Sequence, residues 1–107
     1  MKSYWVVFAD VSDPEAYKAY QAANAAPIRK HGGRFLVRGM GHKAVEGTSH
    51  SRLVVIEFPS AEAANECYNS LEYTSAKSVR EGLSVTDFVI APSYDGPQPT
   101  DANADRP

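Results

Sequence analysis

The chain predicts an α+β domain of ferredoxin-like βαββαβ pattern, a four-stranded antiparallel sheet with its helices on one face. Three observations predict it. Four runs are rich in β-branched and aromatic residues, and two intervening stretches carry apolar positions three and four apart. Prolines, glycines and short polar residues stand at the joints.

Ser3 to Val11 has neither Gly nor Pro and reads as the first strand. Ser12-Asp13-Pro14-Glu15 then starts a helix, because Ser12 or Asp13 can accept bonds from unpaired N–H groups, Pro14 suits the first turn and Glu15 favours the positive helix end. Tyr17, Tyr20, Asn24, Ile28 and His31 share one face of that helix, and Gly32-Gly33 ends it. Pro27 removes one backbone bond and disfavours helical geometry at Ala26, which predicts a kink or an early end. Arg34 to Met40 and Arg52 to Phe58 read as the second and third strands of an antiparallel hairpin, with Gly39, Gly41 and Gly47 as turn candidates. Pro59-Ser60 opens a second helix with Ala64, Cys67, Tyr68 and Leu71 on its apolar face, and a further short helix follows from Glu72 to Glu81. Ser84 to Tyr94 is the fourth strand.

The length of 107 residues suits one domain, with 43% hydrophobic and 22% charged residues. A domain over 1–95 is expected, followed by a polar, proline-containing tail over 96–107. That tail has no large apolar residue to offset its ordering entropy and is expected to be flexible. A formal charge of −2 argues against a nucleic-acid partner, whose phosphates demand clustered Lys and Arg. The apolar run at the start is too short and too soon ended by Asp10 for a signal peptide or a membrane span, so no membrane partner is expected. With the lone cysteine, Cys67, this points to the cytoplasm. No His or Cys spacing assembles a metal site, and Gly39-x-Gly41 lacks the third glycine and following helix of a nucleotide loop. Neither metal nor cofactor is expected.

A hairpin turning near Glu46-Gly47 sets Arg34 opposite Glu57, Leu36 opposite Val55 and Arg38 opposite Leu53. The other face then carries Phe35, Val37, Val54, Ile56 and Phe58, wholly apolar, and is expected to pack under the helices. The Arg34/Glu57 face is mixed and, with a first strand apolar on both faces, too apolar to be left in water, so a second copy of the chain is expected to cover it.

The stretches Asp13-Pro14-Glu15-Ala16-Tyr17, Tyr20 to Pro27, Gly32 to Gly39, Val54 to Ser60 and Tyr94-Asp95-Gly96 resemble the bacterial domain-of-unknown-function family 1330, over Tyr4 to Gly96. The resemblance implies a dimeric α/β barrel of ferredoxin-like subunits, akin in fold to cofactor-free antibiotic-biosynthesis monooxygenases, muconolactone isomerases and stress-response barrel proteins. It implies no known reaction.

Charged side chains on a covered hairpin face need partners or a ligand, which makes Arg34, Arg38 and Glu57 candidates. They either form a salt bridge between copies or recognise an anion, with a guanidinium fork on a carboxylate or phosphate and Glu57 orienting it or acting as a base. Tyr20, Asn24 and Tyr68 are candidates on helix faces turned to the sheet, as core residues or as polar tips in a pocket; Asn24 caps local backbone or faces a cavity. Two functions follow. One is a homodimer binding a small anionic or aromatic organic molecule, as a binder or a cofactor-independent enzyme. The other is a non-enzymatic stress-response or assembly module whose charged sheet face only specifies dimerisation. The residues do not decide between them, and they name no substrate.

Overall fold

The computed structural model describes residues 1–102. Its elements are β1 (Ser3–Val11), α1 (Pro14–Lys30), β2 (Arg34–Gly39), β3 (Arg52–Phe58), α2 (Ala61–Asn69), α3 (Leu71–Val79) and β4 (Ser84–Pro92). The strands form one antiparallel sheet in the order β2-β3-β1-β4, the ferredoxin-like arrangement.

Each helix starts on a side chain that relieves an unpaired N–H. Asp13 accepts from Ala16 N at 3.1 Å, Ser60 from Ala63 N at 3.0 Å and Ser70 from Tyr73 N at 3.1 Å. The Ser70 cap explains one departure from the sequence pattern. Its extended backbone (φ −66°, ψ 151°) separates α2 from α3, so Leu71 begins a new helix and is 86% exposed rather than lying on the apolar face of α2. Pro27 does not end α1, which runs on to Lys30. The residue stands in the last turn, where its ring forgoes the one bond that an N–H would make to the carbonyl four residues back. Its carbonyl, moreover, accepts from His31 N at 3.2 Å and from the Cys67 thiol at 3.5 Å.

The core lies between the helices and one sheet face. Trp5 sits at its centre, with ring centroids 4.8 Å from Phe58, 4.9 Å from Tyr73 and 4.9 Å from Phe88, and its indole N–H bonds Ala64 O at 3.1 Å. Gly33 lets α1 close onto the sheet. A Cβ there would stand 2.5 Å from Ile28 Cγ2 and 3.0 Å from the Phe58 ring.

The expected hairpin register holds at its start and fails after Phe35. Arg34 pairs with Glu57 and Phe35 with Ile56, but a bulge at Leu36 brings Val37 opposite Val55 and Arg38 opposite Val54. The extra residue exchanges faces beyond it. Val37, expected under the helices, joins the open face, and Arg38, expected beside Arg34 and Glu57, turns to the helix side. The open face carries Val6, Val55, Val85 and Val89, the last two 67% and 52% exposed.

From the tail, residues 96–102 are exposed and hold neither helix nor strand, and the Tyr94 hydroxyl donates to Pro97 O. The flexibility expected for 103–107 lies outside the described residues.

Candidate functional site

Between α1 and the sheet opens a narrow cleft of about 40 Å³. Its floor is apolar: Trp5 and Val7 of β1, Val54 and Ile56 of β3, and the rings of Phe35 and Phe88. The polar groups converge from two sides, Tyr17, Tyr20, Gln21 and Asn24 along α1 and Arg38 and Arg52 from the hairpin. An apolar body with a few fixed polar tips is the usual form of a small-molecule site.

The helix residues reach the cleft because positions 17, 20, 21 and 24 fall on one face at spacings of three and four. The arginines reach it by different routes. Arg38 turns in through the Leu36 bulge and lies with its guanidinium carbon 5.6 Å from the Phe35 ring centroid. Arg52, the first residue of β3, stands 5.5 Å over the Tyr17 ring, and its Nε is buried with no hydrogen-bond partner among the described residues. A buried donor without an acceptor costs about 1–3 kcal/mol, more when charged. Beneath the cleft the Tyr20 and Tyr73 hydroxyls are 2.7 Å apart, and the Arg80 guanidinium carbon lies 5.4 Å from the Tyr20 ring centroid.

Burial, and then the neighbouring Tyr20, raise the Tyr17 phenol above its ordinary 10.0, against the pull of Arg80 and Arg52. Burial and Tyr20 raise Tyr73 as well. Both phenols therefore keep their protons at neutral pH, and Tyr17, which lines the cleft, has one to donate there. No carboxylate or imidazole lines the cleft among the described residues. Cationic and neutral-donor groups surround an apolar floor, so the cleft can hold an anion and favour charge that develops on a bound oxygen. Cys67 takes no part: burial, and then Glu72, push its thiol up to about 12.

Of the residues singled out in the sequence, Tyr20, Asn24 and Arg38 meet in this cleft. The other three do not. Arg34 and Glu57 face the opposite side of the sheet, where Glu57 pairs with Lys2 at 3.2 Å. Tyr68 packs in the aromatic core, edge-on to Trp5 and Phe88, with Lys77 Nζ 3.4 Å from its hydroxyl. The three charged residues thus do not form one cluster. Arg52 and Gln21 were missed; Arg52 shares the alternation of Val54 and Ile56, a signal that a charge at the end of the strand obscured.

A second cluster escaped sequence reasoning altogether. On the open face, at the far end of the sheet, His50 lies between two carboxylates, with Nδ1 2.5 Å from Asp10 Oδ2 and Nε2 2.6 Å from Asp87 Oδ2. Phe8, Thr48 and Ser49 complete the surrounding cup. Among the described residues no group of three His, Cys, Asp or Glu is placed to hold a metal ion, and no helix is long and apolar enough to cross a membrane.

A four-stranded antiparallel sheet with helices on one face, and a cleft between them, define a ferredoxin-like domain. The family described as a domain of unknown function, DUF1330, matches residues 2–94, and the chain belongs to it. Among solved structures, the chain is similar to a protein of unknown function from Rhodopseudomonas palustris, with 17% identity, 89% of this chain and 84% of that one covered, and a TM-score of 0.67. It is similar also to SnoaB, a cofactor-independent oxygenase from Streptomyces nogalater, with 12% identity, coverage of 89% and 95% and a TM-score of 0.64. A dimeric protein of unknown function with a ferredoxin-like fold from Bacteroides fragilis aligns at 12% identity, covering 83% and 93%, with a TM-score of 0.55. Among curated proteins, none matches the chain.

Proposed function

We propose that the chain works as a homodimer joined through its open sheet face, and that each subunit binds a small organic anion with an aromatic or apolar body in the helix–sheet cleft. The observation that carries the reading is the buried, unpartnered Nε of Arg52 beside an apolar floor. A carboxylate or enolate oxygen would accept from it, with Arg38 as second cation and Gln21 and Asn24 as neutral partners. The exposed valines of the open face and the dimeric neighbour from Bacteroides fragilis support pairing.

SnoaB extends the reading to catalysis without a cofactor. The residues of this cleft suit one half of such chemistry. Arg38 and Arg52 would stabilise an oxyanion and Tyr17 would donate a proton, whereas no cleft side chain would remove one from a weak acid. A substrate that ionises readily is therefore the fitting class. In the alternative reading, a non-enzymatic module whose charged sheet face only specifies pairing, that face keeps Arg34 and Glu57 but not Arg38.

Calorimetric titration with benzoate as the probe tests the binding. Arg52→Gln removes the charged partner and should weaken binding at least tenfold, the lower end of the ~1.5–3 kcal/mol of a charge-assisted hydrogen bond. Arg34→Gln, on the other face, should leave it unchanged. Equal affinities in wild type and Arg52→Gln, or no binding to the wild type, would reject the reading.

A further inference from the structure

The loop over residues 40–51 joins the two strands that carry the cleft arginines. Its far end is fixed by one side chain of β1. The Asp10 carboxylate accepts from the His50 ring through Oδ2 and from Ser51 N at 2.8 Å through Oδ1. The next residue is Arg52. From β4, Asp87 holds the other ring nitrogen, and the Phe8 ring of β1 lies 6.4 Å away. Within the loop, the His42 Nε2–H donates to His50 O at 2.8 Å and lies 3.2 Å from Ser49 Oγ.

Carboxylates at neutral pH only accept, so an imidazole touching one through each nitrogen must carry both protons. His50 in this clamp is a cation. Both nitrogens are engaged, which leaves no lone pair for a metal ion or for proton abstraction. The arrangement is thus a fastening. Remove one proton and a lone pair faces a carboxylate, while Asp10 and Asp87 lose the charge between them.

We infer that Asp10, His50 and Asp87 form a proton-operated latch that holds the loop over residues 40–51 to the sheet and, through Ser51, fixes Arg52 in the cleft. This regulation rests on the reading of the cleft as an anion site. The latch is closed while His50 is protonated. The two carboxylates, Asp10 foremost, raise its pKa above the ordinary 6.5, and the same contact lowers Asp10 below 3.8. The His50 contribution is therefore complete below 6.5 and lost as the pH rises through the raised value. The Asp10 contribution is complete above 3.8 and lost as the pH falls through the lowered one. Between those limits the latch is whole, and a rising pH opens it.

The test is a pH series of amide exchange and of ¹⁵N spectra on the full chain, each amide corrected for its intrinsic rate. Protection of residues 40–51 should fall as the pH rises through the His50 midpoint read from its own ring signals, and the Arg52 Nε–H resonance should move with that midpoint. Asp87→Asn removes one acceptor charge without disturbing the core and should shift both transitions to lower pH. His50→Gln should abolish them. Protection independent of pH, a midpoint unmoved by Asp87→Asn, or an Arg52 signal that does not follow the loop would overturn the latch. Benzoate affinity in the same series should fall across the midpoint. If benzoate fails to bind at every pH, the ligand reading of the cleft falls, while the exchange and Arg52 signals still decide the latch.

Discussion

Gly33 shows how much of this fold rests on one missing carbon. It is the residue at which α1 hands over to β2, and its backbone N–H closes the helix on Ile28 O at 2.8 Å. The 2.5 Å approach to Ile28 leaves a methyl no room, and the Phe58 ring that bounds the other side is fully buried and cannot retreat. Overpacking of this kind costs about 1–3 kcal/mol. Gly33→Ala should therefore lower the melting temperature by about 4 °C or more, measured by thermal unfolding. An unchanged melting temperature would mean that α1 can lift from the sheet freely. At this scale the sequence was legible where chemistry is local. Asn24 had to cap backbone or face a cavity, and it faces the cleft. Arg38 was misplaced because its side depends on a distant pairing, not on its own type.

Among the elements, the joint between α2 and α3 is the place where a single polar side chain sets the architecture. Ser70 both ends one helix and begins the next, accepting from Tyr73 N and donating from Oγ to Cys67 O at 2.7 Å. Its cap anchors Tyr73, the buried partner of Tyr20 under the cleft. Ser70→Ala should cost about 1 kcal/mol, read as a lower urea midpoint at constant slope. A variant as stable as the wild type would show that packing of Tyr73 alone holds the joint. The strands and helices were readable from period and punctuation, and the bulge was not. Alternation counts residues, and one extra residue at Leu36 is apolar like its neighbours, so nothing in the hydropathy marks it. The loop that delivers His50 was unreadable for a related reason: its partners, Asp10 and Asp87, are 40 and 37 positions away.

The whole molecule has two unlike sides. Helices cover one sheet face, and the other shows a band of valines that a single copy does not cover. If that band is the contact between copies, a charge at its centre has no solvent to turn to on association. Val89, half exposed in the single chain, tolerates a polar replacement in the fold itself. Val89→Glu should thus leave the circular dichroism spectrum unchanged and weaken self-association more than a hundredfold, following the ~3–5 kcal/mol of an uncompensated buried charge. Sedimentation velocity at micromolar concentration would show dimers for the wild type and monomers for the variant. A wild-type monomer would reject the pairing, and a variant that still pairs would place the contact elsewhere.

Trp5 is the sole tryptophan of the chain, and it lies where the cleft floor meets the buried core. Its emission is consequently a single-site signal, with no second indole to dilute it. Tyr73, at 4.9 Å, and Tyr68, at 6.3 Å, are near enough to pass excitation to it, so light absorbed across the aromatic core leaves through one residue. A molecule entering the cleft alters the polarity on one side of that ring, whereas unfolding exposes every side. The fold therefore carries an intrinsic fluorophore that separates occupancy of the cleft from loss of structure without any attached dye.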